Sequence, residues 1–231
     1  MQKPLSGQIH LSYQRGYTET GILQRYCSFN YGTYFNEHRK PLGCLRVFNE
    51  EVLAGGEATF FQPGKPGYAV FIPIIGELVL QGDNQGSQVI DIAKAYVQHA
   101  FPGEVLTLVN RYPDDPINYL YFFVDSSDAA FIDSRIFDFD LAGKPNELIG
   151  ADHNQRSLPF RLRMGMFAGR ADALCRLKDS NSLFYAFVIA GAFEVQGRLL
   201  HQRDGLALWG GSEIDIEALS NNAVIITLEL L

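Results

Sequence analysis

Histidine, cysteine and paired carboxylates carry most protein chemistry, and this chain spreads all three thinly. Its five histidines are His10, His38, His99, His153 and His201. No two lie within a strand's reach of each other, whereas two metal ligands on one strand stand one residue apart so that both point the same way. His99 with Glu104, flanking a Pro-Gly turn, is the single tempting pair. One histidine and one acid fall short of the three protein ligands of a catalytic centre, and a surface histidine near an exposed acid accounts for them. His153, and His201 beside Arg203 and Asp204, read as solvated. Cys27, Cys44 and Cys175 are odd in number and far apart, which fits neither a disulfide framework nor a zinc site and leaves small buried hydrophobes. The neighbouring acids Glu50–Glu51 and Asp114–Asp115 would face opposite sides of a strand, so solvation or turn formation is the reading rather than acid–base work. There is no Gly-rich phosphate loop before a helix and no Gly-x-Ser-x-Gly elbow. No catalytic residue and no metal ligand is assigned.

The elements that would position a site are strands. "AVFIPIIGELVLQG", "EVLTLVN", "INYLYFFV", "LFYAFVIAGAFEVQG", "DGLALWG", "SEIDIEAL" and "AVIITLEL" are short, rich in Val, Ile, Phe and Tyr, and bounded by Gly, Asn, Asp or Pro. In "SEIDIEAL", Ile214, Ile216 and Ala218 alternate with Glu213, Asp215 and Glu217, the pattern of a strand with one wet face. Many short strands without a long amphipathic helix mean a sandwich or barrel. "FFQPGKPGYAVFIPIIGEL", Phe60 to Leu78, joins a Pro/Gly-rich loop to a buried strand, the layout of a site without a histidine, a cysteine or, before Glu77, a carboxylate.

That strand recurs. Residues 74–82 read "IIGELVLQG" and residues 189–197 read "IAGAFEVQG", an offset of 115 residues in a chain of 231. The glycines at 76 and 82 match those at 191 and 197, as expected where hairpin corners need positive φ or close crossing. The turn-rich stretch from Asp125 to Phe160 lies between the copies. The expected layout is an N-terminal domain over residues 1–125, a linker over 126–156 that could itself pack as a strand or short helix, and a C-terminal domain over 157–231. Hydrophobic residues make up 47% and charged residues 19%, enough for a packed core. A net charge of -7 without Lys/Arg runs argues against direct nucleic-acid binding and against anionic membranes. With no signal core and no run approaching a membrane span, the expectation is a soluble, cytoplasmic protein.

The duplicated hairpin resembles the cupin superfamily, with Gly56 and Gly76 at the outer glycines of its first motif, and Gly197 followed by Arg203–Gly205 where the second motif has Pro-x-Gly. Residues Ser28 to Gly56, "SFNYGTYFNEHRKPLGCLRVFNEEVLAGG", resemble the N-terminal signature of the pirin-like bicupins at Ser28, Phe29, Tyr31, Tyr34, Gly43, Leu45, Arg46, Val47, Asn49 and Glu50. "DGLAL" at 204–208 resembles that family's C-terminal domain. The resemblance implies an all-β fold of two tandem cupin (double-stranded β-helix, or jelly-roll) barrels.

It also implies a metal, usually iron, held by His-x-His and His-x-Glu in the N-terminal barrel. Counting back from Gly76 places the first pair on Gln62 and Gly64, and the cupin glutamate on or near Tyr68 or Ala69. Val97, Gln98 and Gly103, laid on the family's Val-Gln-x-x-x-x-Gly, place the second pair on Leu108 and Asn110. Amide carbonyls suit hard cations and are poor ligands for iron, copper, nickel or zinc. The positions 115 residues on, Leu177 and Asp179, do not restore a set. The expectation is a lost metal site and no cofactor.

The emptied barrel would then present Phe60, Gln62, Leu108 and Asn110 inward by strand alternation, with Gly64 beside them and Tyr68 near the mouth. This is either a pocket for a small neutral or aromatic ligand or a core filled by its own side chains. Three functions stay open: a non-catalytic binder of a small ligand or a protein partner, a metal-dependent quercetin 2,3-dioxygenase-like oxidoreductase, and a purely structural domain. Packing of two domains in place of a cupin dimer would leave a monomer.

Overall fold

The computed structural model describes residues 5–82, 86–126, 134–151 and 158–231. Its strands in chain order are β1 (Ser6–His10), β2 (Gly16–Glu19), β3 (Leu23–Cys27), β4 (Leu45–Leu53), β5 (Ala58–Phe61), β6 (Gly67–Ile75), β7 (Leu78–Gly82), β8 (Gly86–Ile90), β9 (Lys94–Ala100), β10 (Leu106–Val109), β11 (Ile117–Asp125) and β12 (Arg135–Asp138). They continue with β13 (Ile149–Gly150), β14 (Phe160–Phe167), β15 (Asp172–Arg176), β16 (Leu183–Ala190), β17 (Phe193–Val195), β18 (Arg198–Leu200), β19 (Gly205–Trp209), β20 (Glu213–Ala218) and β21 (Ala223–Leu230). The helical content of the described residues is one 3-10 turn, Ser12–Gln14, and no helix is long and apolar enough to cross a membrane. The all-β expectation holds. In β20 the alternation is obeyed: Ile214, Ile216 and Ala218 are buried.

The chain forms two compact units, Arg15–Asp138 and Met1–Gln14 together with Phe139–Leu231. The first has a sheet in the order β12-β9-β6-β11-β4-β3-β2 facing a smaller one, β5-β10-β7-β8. The second repeats this plan with β1-β19-β16-β21-β14-β13 and β15-β20-β17-β18. Between the two faces of each unit lies one core. In the first it holds Phe61, Phe71, Leu78, Leu80, Tyr96, Leu108, Tyr119, Tyr121 and Phe123; in the second Phe167, Phe184, Phe193, Leu206, Ile214 and Ile225.

Duplication is visible in the backbone. Gly76 and Gly191 both have φ of 75°, and a Cβ on either would strike a neighbour, Ile117 in one case and Ser220 and Ala223 in the other, so each glycine is required twice over. The register of β6 with β11 skips Ile74, and that of β16 with β21 skips Ile189. A bulge, which bends a strand at a fixed point, thus recurs at the same offset as the glycines.

The unit boundaries differ from those expected from sequence. β1 pairs antiparallel with β19, Ser6 opposite Trp209 to His10 opposite Gly205, so the first residues complete the C-terminal barrel rather than the N-terminal one. In the expected linker, β12 adds to β9 and β13 to β14. β12 and β1 cover equivalent strands of the two barrels, closing edges that would otherwise expose unpaired backbone groups.

Candidate functional site: the mouth of the N-terminal barrel

Inward side chains of β4 and β11 form a ladder. β4 contributes Val47, Asn49, Glu51 and Leu53, opposite Phe123, Tyr121, Tyr119 and Ile117 of β11. Because successive side chains alternate between faces, these pairs stack from the mouth down to the closed end. Apolar groups occupy both ends and polar ones the middle.

The middle is a buried network. The Tyr119 hydroxyl donates to Glu51 Oε2, and the Arg25 guanidinium Nε of β3 donates to Oε1. Asn49 Nδ2 donates to the Tyr121 hydroxyl at 2.8 Å. Arg25 lies over the Tyr31 ring, 5.1 Å from its centroid, and the Tyr31 and Tyr121 rings meet edge to face at 6.3 Å. Glu51 is 1% exposed. Burial raises its carboxyl pKa, partly opposed by Arg25 and by the bond from Tyr119. Burial likewise, with Glu51 beside them, holds the Tyr119 and Tyr121 phenols well above their usual range. Glu50, on the other face of β4, is buried too and pairs with Arg15 at 2.9 Å. The sequence reading of this acid pair as solvated is wrong: both acids are buried and each faces its own arginine, and that pairing makes burial tolerable.

Above the network is the mouth. Tyr31, Arg46, Val47, Phe61, Gln62, Pro63, Gly64, Lys65, Phe123 and Asp125 line a cavity of about 290 Å³. Its floor is aromatic: Phe61 packs against Tyr121 and Phe123, each at 5.5 Å between ring centroids. Its rim is charged: Arg46 Nε lies 2.5 Å from Asp125 Oδ2, and Lys65 Nζ 3.9 Å from the same oxygen. Such a site can hold a flat apolar group against the floor while Gln62 and the rim fix a polar edge.

Of the six residues expected at the site, the structure brings together Gln62 and Gly64. Phe60 points outward at 65% exposed, and Phe61 takes the inward place, a one-residue shift that turns every side chain of β5 over. Tyr68 is buried on the opposite face of β6 from Ala69 and Phe71, edge-on to His99 at 4.9 Å. Leu108 belongs to the core. It pairs with Thr59, three residues from Gln62 and so about 10 Å along the strand. Asn110 is an anchor, its Nδ2 donating to the carbonyls of Leu53, Ala54 and Asp115 at 3.1, 3.0 and 2.8 Å. The expected ligand positions therefore do not converge.

His99 is not a surface histidine. It is 8% exposed, held between Tyr68 and Phe101, and burial lowers its pKa against the pull of Glu104. Glu104 instead caps the Pro-Gly turn, accepting from the Phe101 N–H at 3.0 Å. His201 is exposed, and His153 lies outside the described residues. Cys27 and Cys175 are buried, as expected, and Cys44 is half-buried.

The residues that sequence reasoning missed had a signal. Tyr31, Arg46, Val47 and Glu51 all lie within the Ser28–Gly56 stretch that carries the family resemblance, Glu51 four residues after Val47 on the inward period of β4. Among the described residues no three of His, Cys, Asp and Glu cluster as metal ligands. The mouth offers one amide, two cations and one carboxylate already shared between them, which is not the donor set of an iron, nickel or copper site.

Two duplicated, two-sheet barrels with a cavity at one mouth define a bicupin. Residues 159–230 match the family described as the quercetinase C-terminal cupin domain. Over the whole chain the fold is that of the solved pirin-like bicupins. YhhW from Escherichia coli is similar over 98% of both chains, with a TM-score of 0.85 and 13% identity. Bacterial pirin YhhW in complex with nickel(II) from Escherichia coli aligns at TM-score 0.81 and 14% identity over 97% of this chain and 99% of that one. Quercetin 2,3-dioxygenase from Acinetobacter baumannii aligns at TM-score 0.66 and 12% identity over 96% and 78%. No curated protein matches the sequence.

Proposed function

We propose that this pirin-like bicupin binds a small organic ligand at the mouth of its N-terminal barrel, without a resident transition metal and without catalysing a reaction there. The observation that carries the reading is the cavity of about 290 Å³ between Tyr31, Phe61 and Phe123, with Gln62 and Gly64 at the family's first ligand pair. Its volume sits at the lower end for small-molecule sites, about 300–1,000 Å³, and suits an aromatic ligand of one or two rings with a polar edge. Free cysteines are consistent with a reducing compartment such as the cytoplasm.

A second reading, a quercetinase-like dioxygenase, is favoured by the match of residues 159–230 and requires a redox metal to engage flavonol and oxygen. A third, a structural domain, is favoured by the filled interior below Phe61. Metal content by mass spectrometry after incubation with iron, nickel, copper and zinc, followed by thermal shift against flavonols and smaller phenols, separates the three. Metal below a tenth of an equivalent, with a ligand shift abolished by Phe61→Ala or Gln62→Ala, supports binding. Stoichiometric metal with flavonol cleavage supports the dioxygenase and overturns the proposal. No metal and no shift leave the structural role.

A further inference from the structure

The duplicated bulge lets the two barrels be compared level by level. Tyr119 and Ile225 are the residues next to the bulge on β11 and β21. Counting outward, Tyr121 matches Thr227 and Phe123 matches Glu229. On the partner strands, Glu51, Asn49 and Val47 match Gly165, Arg163 and Arg161. The pair Val47–Phe123, which lines the N-terminal mouth, is thus replaced in the C-terminal barrel by Arg161–Glu229, with Arg163–Thr227 one layer below.

These groups form an unbalanced cluster. Glu229 is 0% exposed, and its Oε2 lies 3.5 Å from Arg161 Nη1 and 3.6 Å from Arg163 Nη2, beyond the usual 2.7–3.2 Å of an N–H···O bond. Its other oxygen accepts from the Lys178 N–H, in the loop after β15 that corresponds to the Gln62–Gly64 loop. Arg163 Nη1 donates to Cys175 Sγ at 3.4 Å. Neither arginine has another ion pair among the described residues. The Thr227 hydroxyl is buried without a hydrogen-bond partner. Two guanidiniums share one carboxylate, leaving one positive charge in excess. The arginine side chains, 37% and 18% exposed, reach solvent while the carboxylate does not.

We propose that the mouth of the C-terminal barrel binds a small oxyanion, the carboxylate or phosphate group of a ligand. Arg161 and Arg163 hold the group, and Glu229 fixes their positions from below. A planar guanidinium presents a fork of donors that matches two oxygens of one anion, and the long contacts to Glu229 leave donors of both arginines uncommitted. The partly buried setting screens the excess charge less than an open surface would.

The test is calorimetric titration of the full chain with sodium acetate and with inorganic phosphate at low ionic strength, with sodium chloride as the ionic-strength control. Saturable one-to-one binding is expected, weakened at least tenfold in Arg161→Gln and unchanged in Arg170→Gln, an exposed arginine paired with Glu217. Tighter acetate binding identifies a carboxylate, tighter phosphate binding a phosphate group. If Arg161→Gln loses its far-UV circular dichroism, Arg161→Lys is read in its place, with several-fold weakening expected from the lost fork. The absence of saturable binding by either oxyanion, or binding indifferent to the change at Arg161, overturns the proposal. Because the ligand cavity of the N-terminal barrel is probed through Phe61 and Gln62, the two proposals fail separately.

Discussion

Replacing Glu51 by alanine tests whether the middle of the N-terminal barrel is held as a charged network. The change leaves Arg25 without its carboxylate and the fully buried Tyr119 hydroxyl without its acceptor. Breaking a buried pair from one side costs about 3–5 kcal/mol. The Arg25 side chain is 22% exposed, so water relieves part of that, and the lower figure of about 3 kcal/mol applies. The orphaned phenol adds about 1 kcal/mol. A loss of about 4 kcal/mol is a large share of the 5–15 kcal/mol that holds a typical domain, and at a urea slope of about 2 kcal/mol/M it lowers the midpoint by about 2 M. Glu51→Gln keeps the shape and one acceptor and should lose about half as much. The double variant Arg25→Met/Glu51→Leu removes both charges and should regain more than half of what Glu51→Ala loses. The assay must follow far-UV circular dichroism, because the single tryptophan, Trp209, lies in the other unit. A midpoint shift in Glu51→Ala below about 0.3 M would show that the network contributes nothing of this kind.

Three further outcomes follow from the geometry. Phe61→Ala should cost about 3–5 kcal/mol as a large-to-small core change, whereas Phe60→Ser next to it should stay within about 0.5 kcal/mol; equal losses in urea denaturation would reverse the strand register. Asn110→Asp removes the amide N–H donors that hold three backbone carbonyls, so it should destabilise by about 2–3 kcal/mol, read from the same midpoints. Burial lowers the His99 pKa below 6.5, so the fold favours neutral imidazole. That contribution is fully present above pH 6.5 and is lost as pH falls through the folded value; urea midpoints at pH 7.5 and 5.5 should show a drop that His99→Phe diminishes.

Fold class was legible because it rests on local pattern: period-2 alternation in β20, and glycines at 76 and 191 whose conformation no other residue adopts cheaply. The duplication was legible for the same reason, and the bulges at Ile74 and Ile189 show that the repeat extends from sequence into hydrogen bonding. What could not be read was decided at a distance. Nothing in "SGQIH" says that β1 pairs with β19, since that pairing is a long-range choice made by an open edge. The six site positions came from counting residues along strands, and counting fails wherever a strand starts one residue away. β5 ends at Phe61, so Phe60 turned out and Leu108 fell opposite Thr59 rather than beside Gln62. Gln62 and Gly64 survived because they lie past the end of β5, in the loop, where alternation no longer decides the facing. Glu51 was misread for the opposite reason: an acid in a strand is assigned to water unless its partner is visible, and Arg25 lies on a different strand. The same blindness covers Arg161, Arg163 and Glu229, which sequence spacing leaves as ordinary surface charges on two separate strands. Only the antiparallel register of β14 and β21 makes them a cluster, and only the shared bulge places that cluster at a barrel mouth. In a duplicated barrel the chemistry is therefore best sought by aligning the two copies in space, where a substitution such as Val47 for Arg161 identifies which mouth carries charge.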